Sequence, residues 1–384
     1  MAYHRLRRRH RRQASVDSAI AHFAADRPVD TPSLPDAVLQ PPPPPAPPAA
    51  EPLQFTGDGA EYFRIWIVNL ALTIVTVGIY SAWAKVRRLQ YFHRNTLLAG
   101  SGFDYHGRPL AILKGRIIAM VMVSGTKFLF DYDPDYGVVA LIAVIVVLPW
   151  LLVRSIAFRL RNTSWRGVRF DFHGAGFQGY RVFFVWPLLA LMSFGLLWPS
   201  AHSRLVSFQR NHATFGGSRF SFRGTIGDFY KVYMLTSLLF SVIPVALFAV
   251  VLQTFQTGAS YSTQAIFFFI GAVCFYGAML SGGPFLVSRL QNLIWNRTKL
   301  EAHEFRSDVK FGKLLWITLS NLAMTIITLG LFRPFAAIRT ARYRVACVTL
   351  IPSESLEGFV GRRIEEVAAV GEEVGEFLDI DIAL

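Results

Sequence analysis

The chain is poor in cysteine and poor in charge. Its 384 residues include two cysteines, Cys274 and Cys347. Two are too few for a disulfide framework or a four-cysteine metal site. Charged residues make up 17% of the chain, against roughly 25% in a soluble globule. No phosphate-cradling glycine loop, HExxH, CxxC or nucleophile elbow occurs. An enzyme is therefore not expected, and neither is a cofactor or a metal. No Asp or Glu lies deep in an apolar run. That removes the carboxylate an ion-coupled pump would need.

What is abundant is apolar surface. Hydrophobic residues make up 53% of the chain, with 33 Phe, 13 Tyr and 8 Trp. Such a chain cannot cover itself with charge in water and reads as a polytopic membrane protein. The net charge of +14 is uneven. Residues 1–53 carry +2 and residues 354–384 carry −7, leaving +19 between them. The basic residues lie in short loops between apolar runs. There they mark the cytoplasmic side of a membrane rather than a nucleic-acid surface.

Three regions follow. Residues 1–53 combine an arginine cluster, Arg5 to Arg12, with the run Pro41 to Pro48. They read as a disordered, cytoplasmic tail with a stiff polyproline spacer. No apolar stretch follows the arginines, so a cleaved signal peptide is not expected. Residues 54–350 form the membrane domain. Residues 351–384 form an acidic cytoplasmic tail with helical spacing of Ile364, Val367, Val370, Val374 and Phe377.

The membrane domain repeats itself. Residues 83–107 align without a gap on 150–174. Trp83, Arg87, Asn95, Gly100, Phe103, Asp104 and His106 match Trp150, Arg154, Asn162, Gly167, Phe170, Asp171 and His173. Weaker copies lie at 200–224, at 285–308 and near 333–344. The apolar run 69–87 matches 321–339, with Asn69, Thr73, Thr76 and Gly78 recurring as Asn321, Thr325, Thr328 and Gly330. Units with one apolar run alternate with units holding two, a sign of internal duplication.

The expected fold is an all-α polytopic membrane protein with about seven apolar helical segments. Two threadings fit. Seven full spans follow from hydropathy alone. They would place the basic loops 85–108 and 154–181 outside, against the positive-inside tendency. Four spans plus three re-entrant or broken short segments put every basic loop and both termini in the cytoplasm. Gly78, Gly195 and Gly330, with Pro199 and Pro334 nearby, supply the breaks. Charge favours the second threading.

Asn69, Thr73 and Thr76 share one helix face, as do Asn321, Thr325 and Thr328. Buried amides and hydroxyls in a membrane either line a pathway or join helices. Paired glycine-broken segments point to a solute or lipid pathway, which predicts a water-accessible cavity near Thr73 and Thr325. The rival reading is a non-transporting scaffold that organises lipid or partner proteins, packed shut there. Arg87, Arg154, Arg204, Arg289 and Arg339 each follow aromatic residues and read as contacts for anionic lipid headgroups. The Asp104–His106 and Asp171–His173 pairs could offer metal ligands, but the third copy has Ser221 and Arg223 instead, so a repeated turn explains them better.

The stretch FTGDGAEYFRIWIVNLALTIVTVGIYSAWAKVRRLQYFHRNTLLAGSGFDYHG, residues 55–107, resembles the YjgN-like family of bacterial inner-membrane proteins. The resemblance runs from about Phe55 to the acidic tail. It implies a multi-pass protein of the cytoplasmic membrane with no assigned activity, and it brings no catalytic residues.

Overall fold

The computed structural model describes residues 49–366, apart from Ala175. Two short strands open the described chain, β1 (Glu51–Pro52) and β2 (Gln54–Phe55). Helices α1 (Gly59–Val75) and α2 (Ser81–Arg94) form a hairpin that leads into β3 (Thr96–Leu98) and β4 (Ser101–Tyr105). The same order then recurs. Helices α3 (Pro109–Tyr132) and α4 (Pro134–Arg161) lead into β5 (Thr163–Trp165) and β6 (Val168–Phe172). Helices α5 (Phe177–Met192) and α6 (Trp198–Asn211) lead into β7 (Ala213–Phe215) and β8 (Ser218–Phe222). Helices α7 (Ile226–Gln256) and α8 (Tyr261–Asn296) lead into β9 (Thr298–Leu300) and β10 (His303–Ser307). Helices α9 (Phe311–Ile327) and α10 (Arg333–Ala346) lead into β11 (Val348–Ile351). A helix over 356–366, α11, follows.

Local chemistry sets the boundaries. The Asp58 carboxylate accepts the Ala60 and Glu61 amides and starts α1. Thr225 and Asp228 form a reciprocal capping box at the start of α7. Pro134 stands just after the Asp133 cap of α4, which turns the chain back sharply from α3. The short hairpins turn differently. Val77, Phe194 and Leu329 take φ of 50°, 52° and 48°, each followed by a glycine at φ of 86° to 92°. Adding a Cβ at Gly78 or Gly330 would meet no neighbour, so backbone conformation rather than space calls for glycine there.

The strands run in the order β1-β11-β10-β9-β8-β7-β6-β5-β4-β3-β2, all neighbours antiparallel. The two ends of that order are adjacent in the chain. Leu53 joins β1 to β2, and its amide donates to the Val348 carbonyl at 2.9 Å. The stretch 51–55 therefore pairs with β11 at one end and β3 at the other, and the sheet closes into a small barrel.

The barrel interior is aromatic. Phe103, Phe170, Phe220 and Phe305 occupy the middles of β4, β6, β8 and β10, with successive ring centroids 6.3, 6.3 and 6.4 Å apart. Leu98, Trp165, Phe215, Leu300 and Leu350 add a buried layer from the short strands. Helix α11 packs into the same core through Leu356, Phe359 and Val360. Charged residues such as Asp104, Arg169, Asp171, Arg219 and Glu304 alternate with the inward positions and stay at least partly exposed.

The expectation of an all-α protein is thus corrected: eleven strands accompany the helices among the described residues. The strands escape a hydropathy reading because they are two to five residues long and no single one is stable alone. Glu51–Pro52, assigned by composition to the proline-rich tail, belong to the sheet. Residues 1–48, with the arginine cluster, and residues 367–384, with most of the acidic tail, lie outside the described residues.

The helical hairpins pack side by side in chain order. Each hairpin packs on the next, and α10 packs back on α1, where Phe63 stacks on Phe335 and Arg342 donates to the Gly57 carbonyl at 2.8 Å. Helices α3, α4, α7 and α8 are long and apolar enough to cross a membrane, and their apolar side chains face largely outward. Helices α1 and α9, at 17 residues each, and α5 are shorter.

Candidate functional site

Five arginines share one level. Arg87, Arg154, Arg204, Arg289 and Arg339 lie in α2, α4, α6, α8 and α10, each seven residues before the last residue of its helix. At 1.5 Å per residue this is about 10 Å from the strands in every case. Arg87 lies over Tyr80 at 5.7 Å, Arg154 over Trp150 at 5.3 Å, Arg204 over Trp186 at 5.3 Å and Arg289 over Phe285 at 5.3 Å. These four are exposed. None of the five joins an ion pair among the described residues. Aromatic faces hold them in place while leaving their charge uncompensated.

Arg339 is the exception in burial. Its guanidinium donates to Asn321 Oδ1 at 2.8 Å and to Ser320 Oγ at 3.2 Å. Asn321 Nδ2 in turn donates to the Ala336 carbonyl and the Thr340 hydroxyl. Asn321 thus clamps α9 to α10. At the matching place in the first copy, Asn69 is buried and its Oδ1 has no partner among the described residues. The threonines bond back onto their own helices. Thr73 donates to the Asn69 carbonyl and Thr325 to the Asn321 carbonyl, both at 2.6 Å. Thr76 and Thr328 donate to Leu72 and Met324 and accept the Tyr80 and Phe332 amides, which stitches the two arms across the turn. Neither of the two cavities described here is lined by any of these six residues.

The acidic members of the repeated triplets face outward on the barrel and tie strand to helix. Arg94 Nε donates to Asp104 at 3.1 Å and Arg161 Nε to Asp171 at 2.6 Å. Burial works to raise the Asp171 carboxyl, but the Arg161 and Phe172 N–H donors outweigh it and hold the group below the usual range. In the third and fourth copies an asparagine does the tying: Asn211 and Asn296 accept the Phe222 and Ser307 amides. No cluster of three metal-ligating side chains occurs among the described residues.

Two cavities stand out. One, of about 990 Å³, is an apolar cleft between α7 and α8, lined by Phe240, Pro244, Phe248 and Phe275 among others. The other, of about 150 Å³, is the barrel interior. The phenylalanine ring and Trp165 line it, and so do Arg210, Trp295 and His303. Arg210, one residue before the end of α6, lies over the Trp295 ring at 4.8 Å. Its guanidinium has no hydrogen-bond acceptor and no carboxylate among the described residues, and burial pushes its pKa below the usual arginine value.

Residues 50–377 match the family described as bacterial protein of unknown function (DUF898). The chain belongs to that family. It is 28% identical over 142 residues to inner membrane protein YjgN of Salmonella typhimurium, which covers 37% of this chain and 36% of the relative. It is 31% identical over 151 residues to the inner membrane protein YjgN of Escherichia coli (strain K12), again 37% and 36%. The matched segment thus spans about a third of the length of those relatives. No solved structure matches the chain significantly.

For this DUF898 chain, sequence reasoning found the arginine level but missed the barrel cavity. Nothing marks Arg210 in sequence, because its equivalents His93, Leu160, Trp295 and Val345 are chemically unlike it. The legible signal was the alternation Phe103–Tyr105, Phe170–Phe172 and Phe220–Phe222, which is the period of a strand.

Proposed function

We propose that this chain is a multi-pass protein of the bacterial inner membrane that gathers anionic lipid headgroups around a cytoplasmic barrel. The observation that carries the reading is the level of five arginines without carboxylates, four of them exposed. Every helical hairpin starts and ends at the sheet. A barrel on one side of the membrane satisfies all five hairpins at once. The two long hairpins then cross and return, and the three short ones dip in and return. At 17 residues, α1 and α9 reach about 26 Å, less than the roughly 30 Å of hydrocarbon. Their turns end in apolar residues that meet no protein: Val77, Phe194 and Leu329 are 92%, 99% and 94% exposed. The basic balance of the sheet-side loops supports a cytoplasmic barrel. The relatives named inner membrane proteins support that membrane. Near an anionic leaflet each arginine contributes about 1 kcal/mol.

The scaffold reading has more support than a solute pathway along the Asn and Thr faces. The four threonine hydroxyls and the Asn321 amide are spent within their own hairpins. The test is lipid retention. The variant R87Q/R154Q/R204Q/R289Q, extracted in mild detergent with unchanged melting temperature, is expected to co-purify several-fold less phosphatidylglycerol and cardiolipin, with phosphatidylethanolamine unchanged. Equal retention of the anionic lipids overturns the reading. Solute flux into vesicles that is lost in Asn69→Leu with Asn321→Leu favours transport instead.

A further inference from the structure

The barrel interior carries a site of different chemistry, independent of the headgroup reading. Its volume of about 150 Å³ is that of a cavity able to hold a benzene-sized molecule. Its walls are aromatic and aliphatic, and no Asp or Glu among the described residues lines it. Arg210, partly exposed, lines this space. A guanidinium cannot escape burial by losing its proton. Against these apolar walls the cation loses hydration, and no carboxylate among the described residues replaces it. The Trp295 face, 4.8 Å away, offsets only part of that loss. The second polar group is His303. The Ser353 amide donates to its Nδ1 at 3.0 Å, which fixes the neutral ring's proton on Nε2. That N–H has no acceptor among the described residues. The polar groups of the cavity therefore include two donors and no acidic acceptor.

We propose that the barrel cavity binds a small monocarboxylate with a benzene-sized apolar body, its carboxylate paired with Arg210 and its body within the ring of Phe103, Phe170, Phe220 and Phe305. The planar guanidinium matches a carboxylate with two parallel hydrogen bonds. A phosphate or sulfate fits poorly, because its further oxygens would face phenylalanine rings. A neutral aromatic would fill the space and leave the cation uncompensated.

The test uses the full chain in detergent or nanodiscs, titrated calorimetrically with benzoate, benzyl alcohol and sodium chloride at constant ionic strength. Benzoate is expected to bind and to raise the melting temperature, while benzyl alcohol binds at least tenfold more weakly and chloride gives no shift. Arg210→Leu is expected to raise the benzoate Kd at least tenfold and to bring benzoate and benzyl alcohol to parity. Should Arg210→Leu fail to fold, Arg210→Lys keeps the charge but loses the paired geometry, and its benzoate Kd rises several-fold. Trp295→Phe should remove most of the tryptophan fluorescence change on binding. Absence of benzoate binding, equal affinity for benzyl alcohol in the wild-type chain, or an unchanged Kd in a folded Arg210 variant overturns the proposal.

Discussion

Arg339 donates a 2.8 Å hydrogen bond to Asn321 Oδ1, bridging α9 and α10 within the last short hairpin. The corresponding Asn69 Oδ1 in the first hairpin is buried with no partner among the described residues, because Arg87 turns instead over Tyr80. Two residues that look equivalent in sequence therefore differ in energy. Removing Asn321 leaves a half-buried guanidinium without its acceptor, whereas removing Asn69 deletes an unsatisfied group. Asn321→Leu is expected to cost about 2–3 kcal/mol, and Asn69→Leu about 1 kcal/mol or less in either direction. Thermal unfolding of the two variants in one detergent checks this. Equal losses would refute the asymmetry.

The sidedness of the hairpins is open to cysteine labelling. In a background lacking Cys274 and Cys347, single cysteines at Val77, Phe194, Leu329, Arg219 and Gly258 report five places. Gly258, between α7 and α8, is expected to react with an impermeant maleimide in intact cells. Arg219, exposed on β8, should react only from the cytoplasmic side. The three turn positions should react only after detergent is added. Ser218, in the same basic stretch, is buried and makes a poor reporter. Labelling of Leu329→Cys from outside intact cells would make that hairpin a crossing pair.

Phe359 of α11 is 1% exposed, with its ring against His303 at 4.5 Å and Phe215 at 6.3 Å. Phe359→Ala should cost about 3–5 kcal/mol and admit protease to the strand turns near Gly167 and Gly217. Unfolding curves with limited proteolysis measure both. A loss under about 1 kcal/mol would mean that α11 is not part of the core.

Burial depresses the pKa of His303, and the charges of Glu354 and Glu301 only partly oppose it. A depressed folded value means the unfolded chain takes up the proton first. The stabilisation is therefore complete above the unfolded pKa of about 6.5 and is lost as pH falls below it. His93 is depressed by burial as well. Melting temperature should fall between pH 7 and pH 5, with a shallower slope in His303→Gln. An unchanged slope in that variant would remove His303 from the account.

The Arg161–Asp171 pair is partly exposed at both partners. Exposed ion pairs contribute under about 1 kcal/mol. Asp171→Asn should therefore leave stability within that range, and added zinc should not shift the melting temperature of the wild-type chain. A zinc-dependent rise that Asp171→Asn abolishes would restore the metal reading of the repeated triplets.

How much was legible follows from the range of each signal. The apolar helices, their short and long alternation, and the glycine breaks are local properties of 15 to 30 consecutive residues, and periodicity reports them. The arginine level was also legible, since one residue recurs at one place in each aligned copy. The partnering of Asn321 and the lack of it at Asn69 was not, because it depends on which way one neighbouring arginine turns. The strands were hidden by their length.

The sequence by itself determined the hydrophobic segments, the basic and acidic distribution, and the repeated unit that places an aromatic–polar–aromatic triplet after the second helix of the first three hairpins. Only the tertiary structure decided that these triplets become strands of one closed sheet. A strand of three to five residues cannot satisfy its backbone hydrogen bonds alone. Its conformation is fixed only when neighbours from sequentially distant copies pair with it. Closure then creates the interior that Arg210 lines together with the phenylalanines, an environment that no window of the sequence contains.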